Sequence, residues 1–148
     1  MKALLQRVRS ASVSVDGTVV GRIGPGLVVL LGVGRDDTEQ DADYLAQKVA
    51  TIRLFQRDDA EFDLSVMDIG GGILAVSQFT LMAETRKGRR PSFTQAAPPE
   101  TARPLYERFV AALSSMSITV ATGMFQEYMH VEIHNDGPVT VILESSRR

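Results

Sequence analysis

Gly24-Pro25-Gly26-Leu27-Val28-Val29-Leu30-Leu31 is the stretch on which the fold turns. The Gly-Pro-Gly break ends whatever precedes it. The apolar run that follows is too short for a helix and suits a central strand buried on both faces. Upstream, Lys2 to Val15 reads as a strand in which Val13 and Val15 alternate with Ser12 and Ser14. Asp16-Gly17 is a hairpin signal, and Val19 to Ile23 returns along it. Downstream, Asp37 or Thr38 can cap a helix whose Ala42, Leu45, Ala46, Val49 and Ile52 or Arg53 recur at helical spacing. Arg53-Leu54-Phe55 reads as a short strand leading into an acidic loop around Asp58 to Asp63, and Ile73-Leu74-Ala75-Val76 reads as another buried strand.

Ala83 to Pro99 has few apolar anchors and several Gly and Pro residues, so it reads as a long loop of the kind that carries function or moves. Ala102, Leu105, Tyr106, Phe109, Val110 and Leu113 form the stripe of a second helix. Pro104 places the start of that helix near Thr101, so that the proline falls in the first turn. Ile118 to Ala121, Met129 to His134 and Val139 to Leu143 are strand candidates. The pattern predicts an α+β fold, a mostly antiparallel β-sheet or barrel-like core with two packed helices, with residues 1–148 as a single domain.

Composition bounds the chemistry. The chain has 148 residues, of which 44% are hydrophobic and 23% charged, as in an ordinary globular domain. It has no cysteine, which excludes a disulfide framework, a thiol nucleophile and any cysteine-ligated metal. No apolar run approaches the ~20 residues of a membrane span, and charge interrupts the short apolar start, so a cytoplasmic location is expected. The net charge of −2 leaves no basic duplex-binding footprint in the bulk composition. Any nucleic acid must be met by a local patch or gripped at a small end. Arg86-Lys87-Gly88-Arg89-Arg90 is the one such patch. It reads either as an ordinary exposed charge cluster or as a clamp for single-stranded phosphates, to which Arg147 and Arg148 could add.

Three familiar signals fail. Gly32-Val33-Gly34 lacks the third glycine of a dinucleotide fingerprint, since position 37 is Asp37. Ser77, in Ala75-Val76-Ser77-Gln78-Phe79, lacks the glycines of a nucleophile elbow. His130, Glu132 and His134 share a strand face, which reads more simply as a solvated edge than as a metal site. Neither a metal nor a cofactor is expected. Two segments are sharper. Ser77-Gln78-Phe79-Thr80-Leu81 ends a buried strand with hydroxyl, amide and backbone donors. Asn135-Asp136-Gly137-Pro138-Val139-Thr140 reads as a turn between strands, although its Gly-Pro peptide is one of the few kinds that can be cis.

These two segments, in this order, resemble the signature pair of the D-aminoacyl-tRNA (D-tyrosyl-tRNA) deacylase family. The likeness extends from Leu5-Gln6-Arg7-Val8 through Arg90-Pro91-Ser92-Phe93 and Thr122-Gly123-Met124-Phe125 to Gly137-Pro138. The resemblance implies a homodimeric hydrolase that cleaves the ester of D-aminoacyl-tRNA, and of some glycyl-tRNA, at the RNA 3′ end. It implies no DNA or membrane partner. It places Ser77, Gln78, Phe79 and Thr80 in the catalytic site. Gly137-Pro138 would be a cis-proline motif reaching into the other subunit's site to exclude L-esters, with Arg7 holding its orientation. The sequence shows no activated nucleophile, so positioning, backbone N–H donors and the RNA's own 2′-hydroxyl are expected to carry the reaction, with Thr80 as the competing nucleophile. A non-catalytic RNA-end or small-ligand binding module and a purely structural β-rich dimer are the readings from other classes, and turnover separates them.

Overall fold

The computed structural model describes residues 1–147, Arg147 by backbone alone, so the side chains of Arg147 and Arg148 weighed for RNA contact lie outside the described residues. The elements follow the chain as β1 (Lys2–Val15), β2 (Thr18–Ile23), β3 (Gly26–Gly32), α1 (Glu39–Thr51), β4 (Phe55–Arg57), β5 (Ala60–Leu64), β6 (Gly72–Ser77), α2 (Pro99–Ser115), β7 (Thr119–Thr122) and β8 (His130–Glu144). A six-stranded sheet carries the order β2-β1-β3-β6-β7, with β8 on the other edge of β1. The strand β1 pairs antiparallel with β2, β3 and β8. The pairs β3–β6 and β6–β7 are parallel. Parallel neighbours need a crossover, and α1 and α2 lie in those two connections. The expectation of an α+β fold with two packed helices holds, with two parallel pairings added.

Burial explains this arrangement. Leu27, Val28 and Val29 of β3 are fully buried, as are Ile73, Leu74 and Ala75 of β6, because each strand has cover on both faces. One face packs on the helices: Leu27, Val29, Leu31, Ile73 and Ala75 meet Leu45, Val49, Phe109 and Leu113. On the other face the sheet curls over Val28, Leu74 and Val76, joined by Val8, Val13 and Ile23. The buried positions of β1 change phase between Leu5 and Val8, so its first half serves the helix side and its second half the curled side. A Cβ on Gly21 would lie 2.5 Å from the Thr122 carbonyl oxygen, so glycine is what lets β2 approach β7 and nearly close the barrel.

Several boundaries differ from expectation. Thr38 caps α1, and the Asp41 carboxylate accepts from its N–H and Oγ1 at 2.8 and 2.9 Å, an arrangement typically worth ~1 kcal/mol. Burial works to raise the Asp41 pKa, but these hydrogen bonds and one from Ser145 outweigh it and hold it below the usual carboxylate value. Asp37 instead accepts from the Met1 ammonium at 2.5 Å. The helix α2 starts at Pro99 rather than near Thr101, which puts Pro104 inside the helix. Pro98-Pro99 pre-set the helical entry. The hydrogen bond that Pro104 cannot donate belongs to Glu100, and both residues are exposed, so water can serve that carbonyl. Of the acidic stretch expected as a loop, Asp58 and Asp59 form the turn, and from Ala60 on it is β5, hairpin partner of β4.

Candidate active site

All three parallel strands end at one side of the sheet, and a cleft of about 670 Å³ opens there. Ser77, Gln78 and Phe79 line it. The register puts Ser77 opposite Leu31, and the Gln78 N–H makes the last bond across to the Leu31 carbonyl, at 2.8 Å. The chain then winds into a 3-10 turn, Phe79–Met82, whose leading residue Gln78 makes no side-chain cap. The first N–H groups of such a turn have no partner within it. Behind the strand, the Tyr106 hydroxyl donates to the Ala75 carbonyl at 2.8 Å, pinning β6 to α2, and burial, reinforced by the Glu107 charge, pushes its pKa up to about 12.

The flanks of the cleft come from opposite neighbours of β6. On the β3 side, Ala97 donates to the Val33 carbonyl at 2.9 Å, and Phe93 meets Phe79 edge to face with centroids 5.0 Å apart. On the β7 side, Phe125 to Met129 form the other wall. Gln126 sits there at φ 65°, an unusual conformation for a non-glycine residue. Phe79 is 56% exposed and Tyr128 91%, so the cleft presents aromatic surface at its mouth. Gln78 Nε2 donates to Thr80 Oγ1. Thr80 is therefore adjacent to the cleft and accepts an amide hydrogen, and among the described residues no carboxylate or imidazole is hydrogen-bonded to it. Among the described residues, Glu127 and Tyr128 are the only titratable ones in the lining, so the chemistry on offer is positioning and backbone donors.

The second segment is neither a turn nor part of this cleft. It is a bulge inside one long strand: β1 advances from Gln6 to Val8 while β8 runs from Thr140 back to Asn135. Arg7 alone thus faces four residues, Asp136 to Val139, and the surplus protrudes. Asn135 Nδ2 donates to the Arg7 and Val139 carbonyls at 2.9 and 3.0 Å. Arg7 donates to the Asp136 carbonyl at 3.3 Å and to the Leu54 carbonyl at 2.7 Å, and pairs with the Asp136 carboxylate at 3.5 Å. Between these ties Gly137 and Pro138 are exposed, and the peptide joining them is cis. Gly137 has φ 120°, and a Cβ there would lie 2.9 Å from Arg7 Nη2 and from Val139 Cγ2.

One chain does not bring the two segments together. Arg7 pairs with Leu27 on β3, whereas Ser77 stands opposite Leu31. That is about 13 Å along the strands, and β8 lies three strand positions from β6 through β1 and β3. Ser77, Gln78, Phe79 and Thr80 form one group, and Arg7, Gly137 and Pro138 another. Sequence reasoning missed Phe93 and the wall from Phe125 to Met129 as site residues, although Phe93 and Phe125 fall in pieces of the family likeness. His130, Glu132 and His134 are all exposed, and among the described residues no group of three ligating side chains could hold a metal ion. The long loop is pinned by a two-residue bridge, Glu84 to Ser92, with bonds of 2.8 and 2.9 Å.

A family model described as D-Tyr-tRNA(Tyr) deacylase matches residues 4–144. The D-aminoacyl-tRNA deacylase of Koribacter versatilis is 53% identical over 147 residues, covering 99% of each chain. A solved structure titled c-Myc DNA Unwinding Element Binding Protein superposes with a TM-score of 0.91 at 40% identity, covering 97% of this chain and 98% of the other. A probable eukaryotic D-amino acid tRNA deacylase shares the fold, with a TM-score of 0.86 at 17% identity, covering 97% and 98%.

Proposed function

This chain belongs to the D-Tyr-tRNA(Tyr) deacylase family and is a hydrolase of D-aminoacyl-tRNA, and from that premise we infer how its two exposed segments divide the work. Residues 1–148 act as one deacylase domain, in the cytoplasm where charged tRNA is used, and as a homodimer. The 3′ end of the tRNA enters the cleft at Ser77, Gln78 and Phe79. The backbone N–H groups of Phe79 and Thr80 receive the charge that develops on the ester oxygen. One well-placed donor of this kind is typically worth about 100–1,000-fold in rate.

Gly137-Pro138 of one subunit reaches into the partner subunit's cleft and sets its carbonyls against the substrate's α-carbon. The observation that carries this arrangement is the separation of the two segments within one chain, combined with a bulge that is tied at its base yet exposed at its tip. A wall of backbone leaves room for hydrogen and none for an L side chain. Exclusion of that kind can exceed the ~1–3 kcal/mol obtained from fitting one methylene. Glycyl ester passes the same wall. Arg7 holds the motif's orientation.

The assisting group is the 2′-hydroxyl of the terminal adenosine. In support, the Thr80 hydroxyl accepts a hydrogen bond from Gln78, and among the described residues no carboxylate or imidazole is hydrogen-bonded to it. The test is a set of initial rates on one tRNA charged with D-tyrosine, L-tyrosine or glycine. D- and glycyl esters should be released and the L-ester spared. Comparable cleavage of the L- and D-esters would remove the wall, and absence of turnover would return the protein to a binding module.

A further inference from the structure

The cleft offers the substrate's phosphates nothing. Among the described residues its lining includes no lysine or arginine, and the one Asp, Glu, Lys or Arg in it is Glu127, an acid. The whole chain carries a net charge of −2, so a polyanionic substrate meets no general attraction. The exception is the hairpin closed by the Glu84–Ser92 bridge. Four cations, Arg86, Lys87, Arg89 and Arg90, stand at its tip, and all are exposed. Arg86 has a local counterion in Glu84, 3.4 Å away. Among the described residues no ion pair engages Lys87, Arg89 or Arg90, whereas Arg9, Arg57 and Arg108 elsewhere on the surface each meet a carboxylate. The next residue after the bridge, Phe93, packs on Phe79 and lines the cleft. The cations therefore hang from the cleft's own wall.

We propose that this hairpin tip is the phosphate-binding surface for the single-stranded 3′ end of the tRNA, holding the backbone just outside the cleft while the ester lies within. The proposal rests on the reading of the cleft as the deacylase site. Flexible exposed cations attract a backbone without reading bases, which suits a grip on a single-stranded end. Gly88, at φ 71° with open space around it, lets the tip turn so that cations flank it on both sides.

The experiment compares the full-length wild type with the Lys87→Ala/Arg89→Ala variant on D-tyrosyl-tRNA and on D-tyrosyl-adenosine, which lacks the tRNA phosphates. Each single-strand phosphate contact contributes about 0.7 to the slope of log affinity against log salt. The double variant should therefore lose about 1.4 from that slope. Raising salt from about 50 to about 200 mM should weaken the wild type about sevenfold more than the variant. KM for the tRNA should rise at low salt with kcat unchanged, and hydrolysis of D-tyrosyl-adenosine should be the same in both proteins. An unchanged KM and salt slope overturns the proposal. So does an equal loss on both substrates, because the hairpin would then be ordering the cleft through Phe93 rather than binding phosphate. Failure of the cleft reading looks different: Gln78→Ala, in the cleft lining, would then leave hydrolysis of both substrates unchanged.

Discussion

The end of β6 and the bulge of β8 are both polar interruptions of apolar strands, yet they are built in opposite ways. Ser77 and Gln78 are half-buried and surrounded by walls from their own chain, with Phe93 on one flank and Phe125 to Met129 on the other. Gly137 and Pro138 have no walls. Their segment is anchored from beneath by Arg7 and Asn135 and points into solvent. A cleft can be completed by what enters it. A rigid exposed tip has its ordering cost already met and acts on whatever docks against it. On the reading proposed here the two are halves of one site on different subunits.

The most severe way to break that comparison is to damage each half on a separate chain. Gly137→Val forces a side chain onto Arg7 and Val139 at a positive φ and should lower D-ester hydrolysis by at least about 100-fold, as should Gln78→Ala. In verified heterodimers of the two variants, one intact site should form and about half the wild-type activity per dimer should return. No recovery in folded heterodimers would place both halves in the same subunit.

A substrate ending in 2′-deoxyadenosine sharpens the chemical side of the comparison. It should lose most of the rate, on the order of 100-fold, whereas Thr80→Ala should stay within about tenfold of wild type. The reverse ranking, measured in single turnovers, would make Thr80 the nucleophile.

The smallest effect is expected at the anchor. Arg7→Ala removes bonds to the Leu54 and Asp136 carbonyls from a side chain that is 15% exposed, and should cost about 1–3 kcal/mol in urea unfolding. D-ester hydrolysis should fall about tenfold as the tip loosens, and Arg7→Lys should recover only part of it, since an ammonium cannot serve two carbonyls in a fixed fork. An unchanged rate alongside the stability loss would make Arg7 purely structural.

Much of this was legible in the residues. The Leu27–Leu31 run and Ile73–Val76 read as doubly buried strands because continuous apolar character has no other stable place in a short segment. The second helix was legible from its stripe, although its start was not. Pro104 argued for a beginning near Thr101, whereas Pro98-Pro99 and a solvated carbonyl at Glu100 let the helix begin earlier. Asn135 to Thr140 read as a turn because its composition is that of a turn. The long partner β1 overrides that local preference by pairing on both sides of it, and converts the segment to a bulge.

The sequence by itself determined the layers, the two helices, the exclusion of cysteine and dinucleotide chemistry, and the polar segments that carry the family likeness. Only the tertiary structure decided that Phe93 and Phe125, far apart in the chain, face each other across β6, and that Arg7 reaches Asp136. It alone set the two signature segments at different ends of the sheet. The reason is physical. Periodicity and turn chemistry act over a few residues and are written locally. Which strands become neighbours depends on pairings such as β3 with β6 and β6 with β7, whose partners lie dozens of residues apart and are selected by burial of the whole core.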